Sequence, residues 1–221
     1  MNLLADKMVP YLDASGIRYT RNTPDMTAAS SIAASNAGNF DLHLALHSNA
    51  AAGVQAGKAR GSIVFYYPGS TNGQRAAELI ADGLKTIYPD PNKVRTEATT
   101  SLGEVARVNA PAVLVELAFH DNPEDANWIK ANLDSAARVI VLALTEYFDI
   151  PFFETENRRS GVVDVEWGNL NVRARPSTSA AIVAQAPDGA PITVLNTANG
   201  WHLVNYNGTI GYVSSEFVTL T

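Results

Sequence analysis

The sequence predicts an α/β domain, with a mostly parallel sheet flanked by helices, followed by a small all-β barrel. Three observations carry this expectation. Residues 41–47 and 112–116 are short, almost continuously apolar runs, as strands buried on both faces are. Residues 71–88 carry Ala76, Leu79, Ile80, Gly83, Leu84 and Ile87 at helical spacing. Beyond residue 162 the texture changes to period-two alternation broken by Gly-containing turns.

Taken in order, Leu4, Met8 and Leu12, widened by Leu3 and Tyr11, predict a helix from the start of the chain to Gly16. Pro10 is expected to kink it. A strand is expected at 17–20. Open α/β sheets usually place a strand before the first helix. The chain therefore reads either as a unit lacking its first strand or as a domain that starts with a helix. Residues 27–36, rich in Ala and Ser, predict a short helix, and 62–67 a strand. Pro89-Asp90-Pro91-Asn92 stops the helix over 71–88. After the strand at 112–116 come helices over 123–133 and 135–148. Residues 151–161 lose the pattern and read as a linker between domains 1–150 and 162–221. In the second domain, 170–175, 192–195, 201–206 and 210–213 read as strands. Pro187-Asp188-Gly189 is a turn, and Asn199-Gly200 and Asn207-Gly208 have hairpin chemistry.

Composition narrows the function. The net charge of −6 over 221 residues argues against a nucleic-acid surface, which needs clustered Lys and Arg. Arg158-Arg159 is the one basic pair that stands out, and it falls in the expected linker. No cysteine is present, so disulfides and thiolate metal sites are excluded. The most apolar segment, 136–144, is far shorter than the ~20 residues of a membrane span. Residues 1–12 lack the basic and apolar regions of a signal peptide. A Gly-rich phosphate loop, a Gly-x-Ser-x-Gly elbow and a His-Glu-x-x-His helix are all missing.

Ligands of open α/β sheets gather outside the carboxyl ends of the strands. His47 ends one apolar run and Glu116 another. A carboxylate on a strand as apolar as 112–115 is costly to desolvate unless a charge or a proton compensates. Glu116 then reads as a general acid/base beside a metal held by His47, or both are structural residues. His43 lies four residues before His47, about 13 Å away along a strand at ~3.3 Å per residue, too far to share one zinc. It is expected to have a structural or supporting role. Asn49 and His120 flank the two strand ends and are candidate substrate contacts; an exposed loop histidine is the other reading of His120. His202 is expected to be exposed.

These residues fall in larger motifs. Asp41-Leu42-His43-Leu44-Ala45-Leu46-His47-Ser48-Asn49-Ala50 resembles the zinc-binding strand and loop of the amidase-3 type N-acetylmuramoyl-L-alanine amidases. The segment from Pro111 through Glu116 and Phe119-His120-Asp121-Asn122 to Glu124 resembles the motif around that family's catalytic glutamate. Residues 13–21, with Gly16 and Thr20-Arg21, and Asn36 are similar as well. The resemblance runs from residue 1 to about 150. It implies hydrolysis of the amide between N-acetylmuramic acid and L-alanine in peptidoglycan. His47 would be a Zn2+ ligand and Glu116 the acid/base. The family's other two zinc ligands, a histidine after the first strand and a glutamate before the first helix, would lie upstream of Met1. Zinc sites normally take three protein ligands.

From about residue 162 to 221 the chain resembles the bacterial SH3 family. The similarity rests on Leu170-Asn171-Val172-Arg173-Ala174-Arg175-Pro176-Ser177, Gly200-Trp201 and Gly211-Tyr212-Val213. It implies peptidoglycan as partner and an extracellular or cell-wall location. Trp201, Tyr206 and Tyr212 are candidate ligand contacts or core aromatics, and Trp167 is a looser candidate. Two further readings are a catalytically inactive amidase scaffold that binds the wall and an adaptor that takes Pro-rich peptides. The Asn-Val-Arg strand and the lack of an acidic specificity loop argue against the adaptor.

Overall fold

The computed structural model describes residues 1–221. The chain divides into two compact units: Met1–Met8 with Thr20–Tyr147, and Val9–Tyr19 with Phe148–Thr221.

The first unit is built on four strands, β1 (His43–Asn49), β2 (Ile63–Tyr66), β3 (Arg95–Ala98) and β4 (Ala112–Phe119), in the order β1-β4-β2-β3. The β1–β4 and β2–β3 pairs are parallel and β2–β4 is antiparallel. β4 is central, and every residue in it except Glu116 is buried, which is why it reads as an unbroken apolar run. The helices are α1 (Asn2–Ala14), α2 (Ala28–Ala37), α3 (Thr71–Lys85), α4 (Gly103–Ala106), α5 (Pro123–Ala131) and α6 (Leu133–Tyr147).

Local chemistry starts these helices. Thr27 and Ser30 form a capping box on α2, and Ser70 caps α3 through the Gly73 N–H. Asn122 accepts from the N–H groups of Glu124 and Asp125, with Pro123 in the first turn of α5. The apolar stripe of α3 buries Ala76, Ala77, Ile80 and Leu84. Gly83 lies so close to α6 that a Cβ there would be 3.2 Å from the Val139 carbonyl oxygen. No helix is long and apolar enough to cross a membrane.

The second unit carries β5 (Arg159–Val163), β6 (Asn169–Arg173), β7 (Ile182–Pro187), β8 (Pro191–Ala198), β9 (Trp201–Tyr206), β10 (Thr209–Ser214) and β11 (Val218–Leu220). They form one antiparallel sheet in the order β11-β5-β8-β9-β10-β6-β7. Val163, Val172, Val194, Val204 and Val213 make its core. Both Asn-Gly hairpins have positive φ at each central residue, as tight hairpins require.

The elements depart from the sequence expectations, or add to them, at four points. Residues 17–20 form no strand: Gly16 ends α1 at φ +73°, and residues 18–25 are exposed and pair with no strand. α1 runs through Pro10, which lies on its exposed side. β3 is an added strand whose residues Arg95, Thr96, Glu97 and Ala98 show no apolar alternation, because an edge strand is held by backbone bonds rather than burial. β5 begins at Arg159, inside the segment read as linker; only its last two residues are apolar.

The segment Val9–Tyr19 groups with the second compact unit. The side-chain amide of Asn196, itself buried, donates to the carbonyls of Ala14 and Thr155 at 3.1 and 3.0 Å. The Phe153 N–H donates to Ser15 Oγ, and Tyr11 stacks on Phe152 at 5.8 Å. Gly16 packs against Leu203 and Ile210, where a Cβ would come within 2.8 Å of Leu203.

Candidate active site

Because β1 and β4 run parallel, their carboxyl ends lie side by side. His47 and Glu116 are register partners there. On its other side Glu116 faces buried Ile63 of β2. One carboxylate oxygen, Oε2, is inaccessible and has no hydrogen-bond partner. Burial pushes the Glu116 pKa up, opposed by the nearby His47 and His120.

His47 Nε2 lies 2.8 Å from Glu104 Oε2. Glu104 comes from the one-turn helix α4. The next residue, Val105, is buried in a cluster with Ala45 of β1 and Leu114 of β4, and this anchor holds Glu104 over His47. The hydrogen bond raises the His47 pKa, and the same bond holds the Glu104 carboxyl below its ordinary range. Glu104 was not among the sequence candidates. A single glutamate in a four-residue helix carries no periodic signal, and its proximity to His47 exists only after folding.

His43 does not join His47. Its Nδ1 pairs with Ser35 Oγ at 3.0 Å, and its Nε2 is buried without a partner. Burial lowers its pKa, and Glu104 opposes that. This is the supporting position expected for it.

The β1–β4 register shifts between His47 and Asn49, where β4 contains one extra residue. Ala118 sits there at φ +58°, an uncommon conformation for a residue with a Cβ. Beyond this bulge the His120 N–H donates to the Asn49 carbonyl at 2.8 Å. His120 Nδ1 is 3.0 Å from both the carbonyl and the hydroxyl of Ser48. Asp121 accepts from the N–H groups of Ala51 and Gly57, and Asn122 donates to the Gly57 carbonyl. The loop after β1 is thus tied to the loop after β4.

Asp125, fully buried, anchors this loop from below. It accepts from the N–H groups of Phe119 and Gly61, from Tyr88 Oη at 2.5 Å and from Arg60 Nε at 3.1 Å. Burial works to raise its pKa, but these bonds outweigh that and hold it below the usual value. Arg60 also pairs with Glu124.

His47, Asn49, Glu116 and His120 are therefore gathered at one end of the first unit's sheet. The two aromatic candidates lie in the second unit. Tyr212 is corrected: it is 3% exposed, packs with Leu195 and Leu203, and turns its hydroxyl towards the Ser15 carbonyl, so it is core rather than ligand surface. Trp201 is half-buried against the same cluster. His202 is also corrected, being buried with Nδ1 2.7 Å from Thr197 Oγ1. Trp167 is the exposed aromatic, at 86%.

Zinc was expected on His47. The chain holds no group of three His, Cys, Asp or Glu side chains placed for a metal ion. His47 and Glu104 are two potential donors already bonded to each other. These residues by themselves do not complete the three-ligand set that zinc takes.

Comparison with known proteins identifies two families in the chain. The family model described as N-acetylmuramoyl-L-alanine amidase matches residues 2–146, and that of the bacterial SH3 domain matches 168–219. YrvJ of Bacillus subtilis (strain 168), named as an N-acetylmuramoyl-L-alanine amidase, is 27% identical over 139 residues. That match covers 63% of this chain but only 26% of YrvJ, so the chain spans about a quarter of that relative. Among solved structures, the catalytic domain of the CD27L endolysin targeting Clostridia difficile is similar at a TM-score of 0.53 and 25% identity. It covers 66% of this chain and 81% of that one. The catalytic domain of CwlV from Bacillus (Paenibacillus) polymyxa var. colistinus shares the fold at a TM-score of 0.57 and 16% identity, over 68% and 84% of the two chains. The chain belongs to the N-acetylmuramoyl-L-alanine amidase family and carries a bacterial SH3 domain after its amidase portion.

Proposed function

We propose that the chain hydrolyses the amide between N-acetylmuramic acid and L-alanine in peptidoglycan, held on the wall by its SH3 portion. One observation carries this reading: Glu116, its carboxyl half-buried and one oxygen without a partner, stands beside His47 in the carboxyl-terminal halves of two parallel strands. A carboxyl with a raised pKa is suited to taking a proton from water and passing it to the leaving amine. Asn49 and His120 line the same strand ends and are the substrate contacts. The two family assignments support a wall location, extracellular or cell-wall associated. The functional division between 1–150 and 162–221 is retained, with Val9–Tyr19 as a segment of the first that packs in the second unit.

His47 is the residue this chain would contribute to a zinc site. When bound, zinc supplies Lewis-acid polarisation of the carbonyl and activation of water. The residues of this chain bring no group of three such ligands together around it.

The test is incubation of the chain with purified peptidoglycan in zinc-containing buffer, followed by mass spectrometry of new alanine N-termini. Alanine termini that fall by about 10²–10⁴-fold in Glu116→Gln support the reading. Binding to the wall without new alanine termini would establish the inactive-scaffold reading instead.

A further inference from the structure

Within the amidase reading, one side chain of this end of the sheet has a chemistry that its bonds define. His120 Nδ1 is 3.0 Å from the Ser48 carbonyl oxygen, an atom that only accepts. Nδ1 must therefore carry a hydrogen; a bare lone pair there would face the carbonyl's lone pairs. The Ser48 hydroxyl, also 3.0 Å from Nδ1, is then an acceptor of the same hydrogen, not a nucleophile activated by the ring. In the neutral imidazole the remaining nitrogen, Nε2, is an acceptor without a hydrogen. It makes no hydrogen bond within the protein, and His120 is exposed at the same end of the sheet as Glu116.

The ring is also held in place. Its backbone N–H is bound to Asn49, the bulge at Ala118 sets the exit of the chain from β4, and the next residue, Asp121, is tied to Ala51 and Gly57. A fixed acceptor recognises a donor at little ordering cost. Near the scissile bond, the donors that recur along a peptidoglycan stem are its backbone N–H groups. Peptide carbonyls, being acceptors, repel neutral Nε2.

We propose that His120 Nε2 accepts a hydrogen bond from a backbone N–H of the stem peptide, making His120 the residue that selects the peptide side of the substrate. The proposal rests on the amidase reading. Its test is made on binding, so that the two fail separately.

The probe is N-acetylmuramoyl-L-alanyl-D-isoglutamine, titrated by calorimetry into Glu116→Gln so that no turnover intervenes. Two analogues, N-methylated at either the first or the second stem amide, complete the set. One N-methylation is expected to weaken binding by about two- to tenfold, the range of a single hydrogen bond. His120→Ala should lose the same factor with the parent dipeptide and become insensitive to that methylation. His120→Gln, which keeps an acceptor, should recover part of the affinity, and His120→Lys, which has none, should not. Nitrogen NMR should show the Nδ1–H tautomer of His120 in the free protein. Absence of dipeptide binding, an Nε2–H tautomer, or equal sensitivity to N-methylation with and without His120 would overturn the proposal. Failure of the wild-type chain to release alanine termini would sink the amidase reading alone and leave the binding result intact.

Discussion

His47 Nε2 and Glu104 Oε2 stand 2.8 Å apart, joining a strand end to a one-turn helix 57 residues away in sequence. The pair gives His47 a partner on the nitrogen that would otherwise face solvent. Opposite it, on the neighbouring strand, Glu116 is left without one. The two carboxyls at this site thus have opposite environments, one pushed down by a charge-assisted bond and one pushed up by burial. Such a division is the usual basis of distinct acid/base roles.

Glu104→Gln should return the His47 pKa towards its ordinary value, read by NMR titration of the ring. The raised His47 pKa means that this pair adds stability below pH ~6.5 and loses it as pH rises through the folded pKa of His47, while the lowered Glu104 pKa means that it is also lost as pH falls through the folded value of Glu104. The variant should therefore lose most stability between those two limits. A His47 titration unchanged by the substitution would contradict the bond.

Glu116→Gln should abolish activity yet not weaken the fold. A carboxyl whose folded pKa is raised opposes folding once it ionises, so removing its charge should raise the melting temperature at pH 7. That gain should vanish below pH ~4, where the carboxyl is protonated in both states. A lower melting temperature at neutral pH would show that Glu116 is a structural ion-pair residue instead.

Asp125→Ala should cost about 3–5 kcal/mol, since it leaves Arg60, the Tyr88 hydroxyl and two N–H groups without their buried acceptor. The depressed Asp125 pKa contributes stability that is complete above pH ~3.9 and disappears as pH falls through the folded value. Urea denaturation across pH 2–7 checks both statements: the variant should be the less stable at neutral pH and the less sensitive to acid.

Ala118→Val should destabilise by about 2 kcal/mol or more. A β-branched residue at φ +58° is a genuine outlier, and the site is fully buried. Because the bulge aims His120, dipeptide binding should weaken as well. Full stability of this variant would mean that the chain does not hold the bulge.

Tyr212→Phe should leave wall binding unchanged, because the ring is core and its hydroxyl makes only a long 3.5 Å contact with the Ser15 carbonyl. Tyr212→Ala should lower the melting temperature of the second unit, at a cost of about 3–5 kcal/mol for a lost buried aromatic. Selective loss of wall binding by Tyr212→Phe, with stability intact, would return the residue to the ligand surface.

Much of this was legible in sequence. The apolar runs of β1 and β4, the stripe of α3 and the two Asn-Gly hairpins are local patterns, and they place His47 and Glu116 on these strands, which run on to Asn49 and Phe119, past the ends at 47 and 116 expected from the runs. Strands held mainly by backbone bonds were not legible. β3 and the start of β5 show ordinary polar residues, since the groups that pair them are common to every amino acid.

By itself, then, the sequence determined the α/β class, the following all-β unit, and the two chemical groups at the strand ends. Tertiary structure alone decided that Glu104 bonds His47, that Val9–Tyr19 packs in the second unit, that Tyr212 and His202 are buried, and that Nε2 is the free nitrogen of His120. The reason is physical. Periodicity and turn preference depend on neighbours a few residues away, whereas a side chain's partner, burial and proton depend on segments that only chain closure brings together.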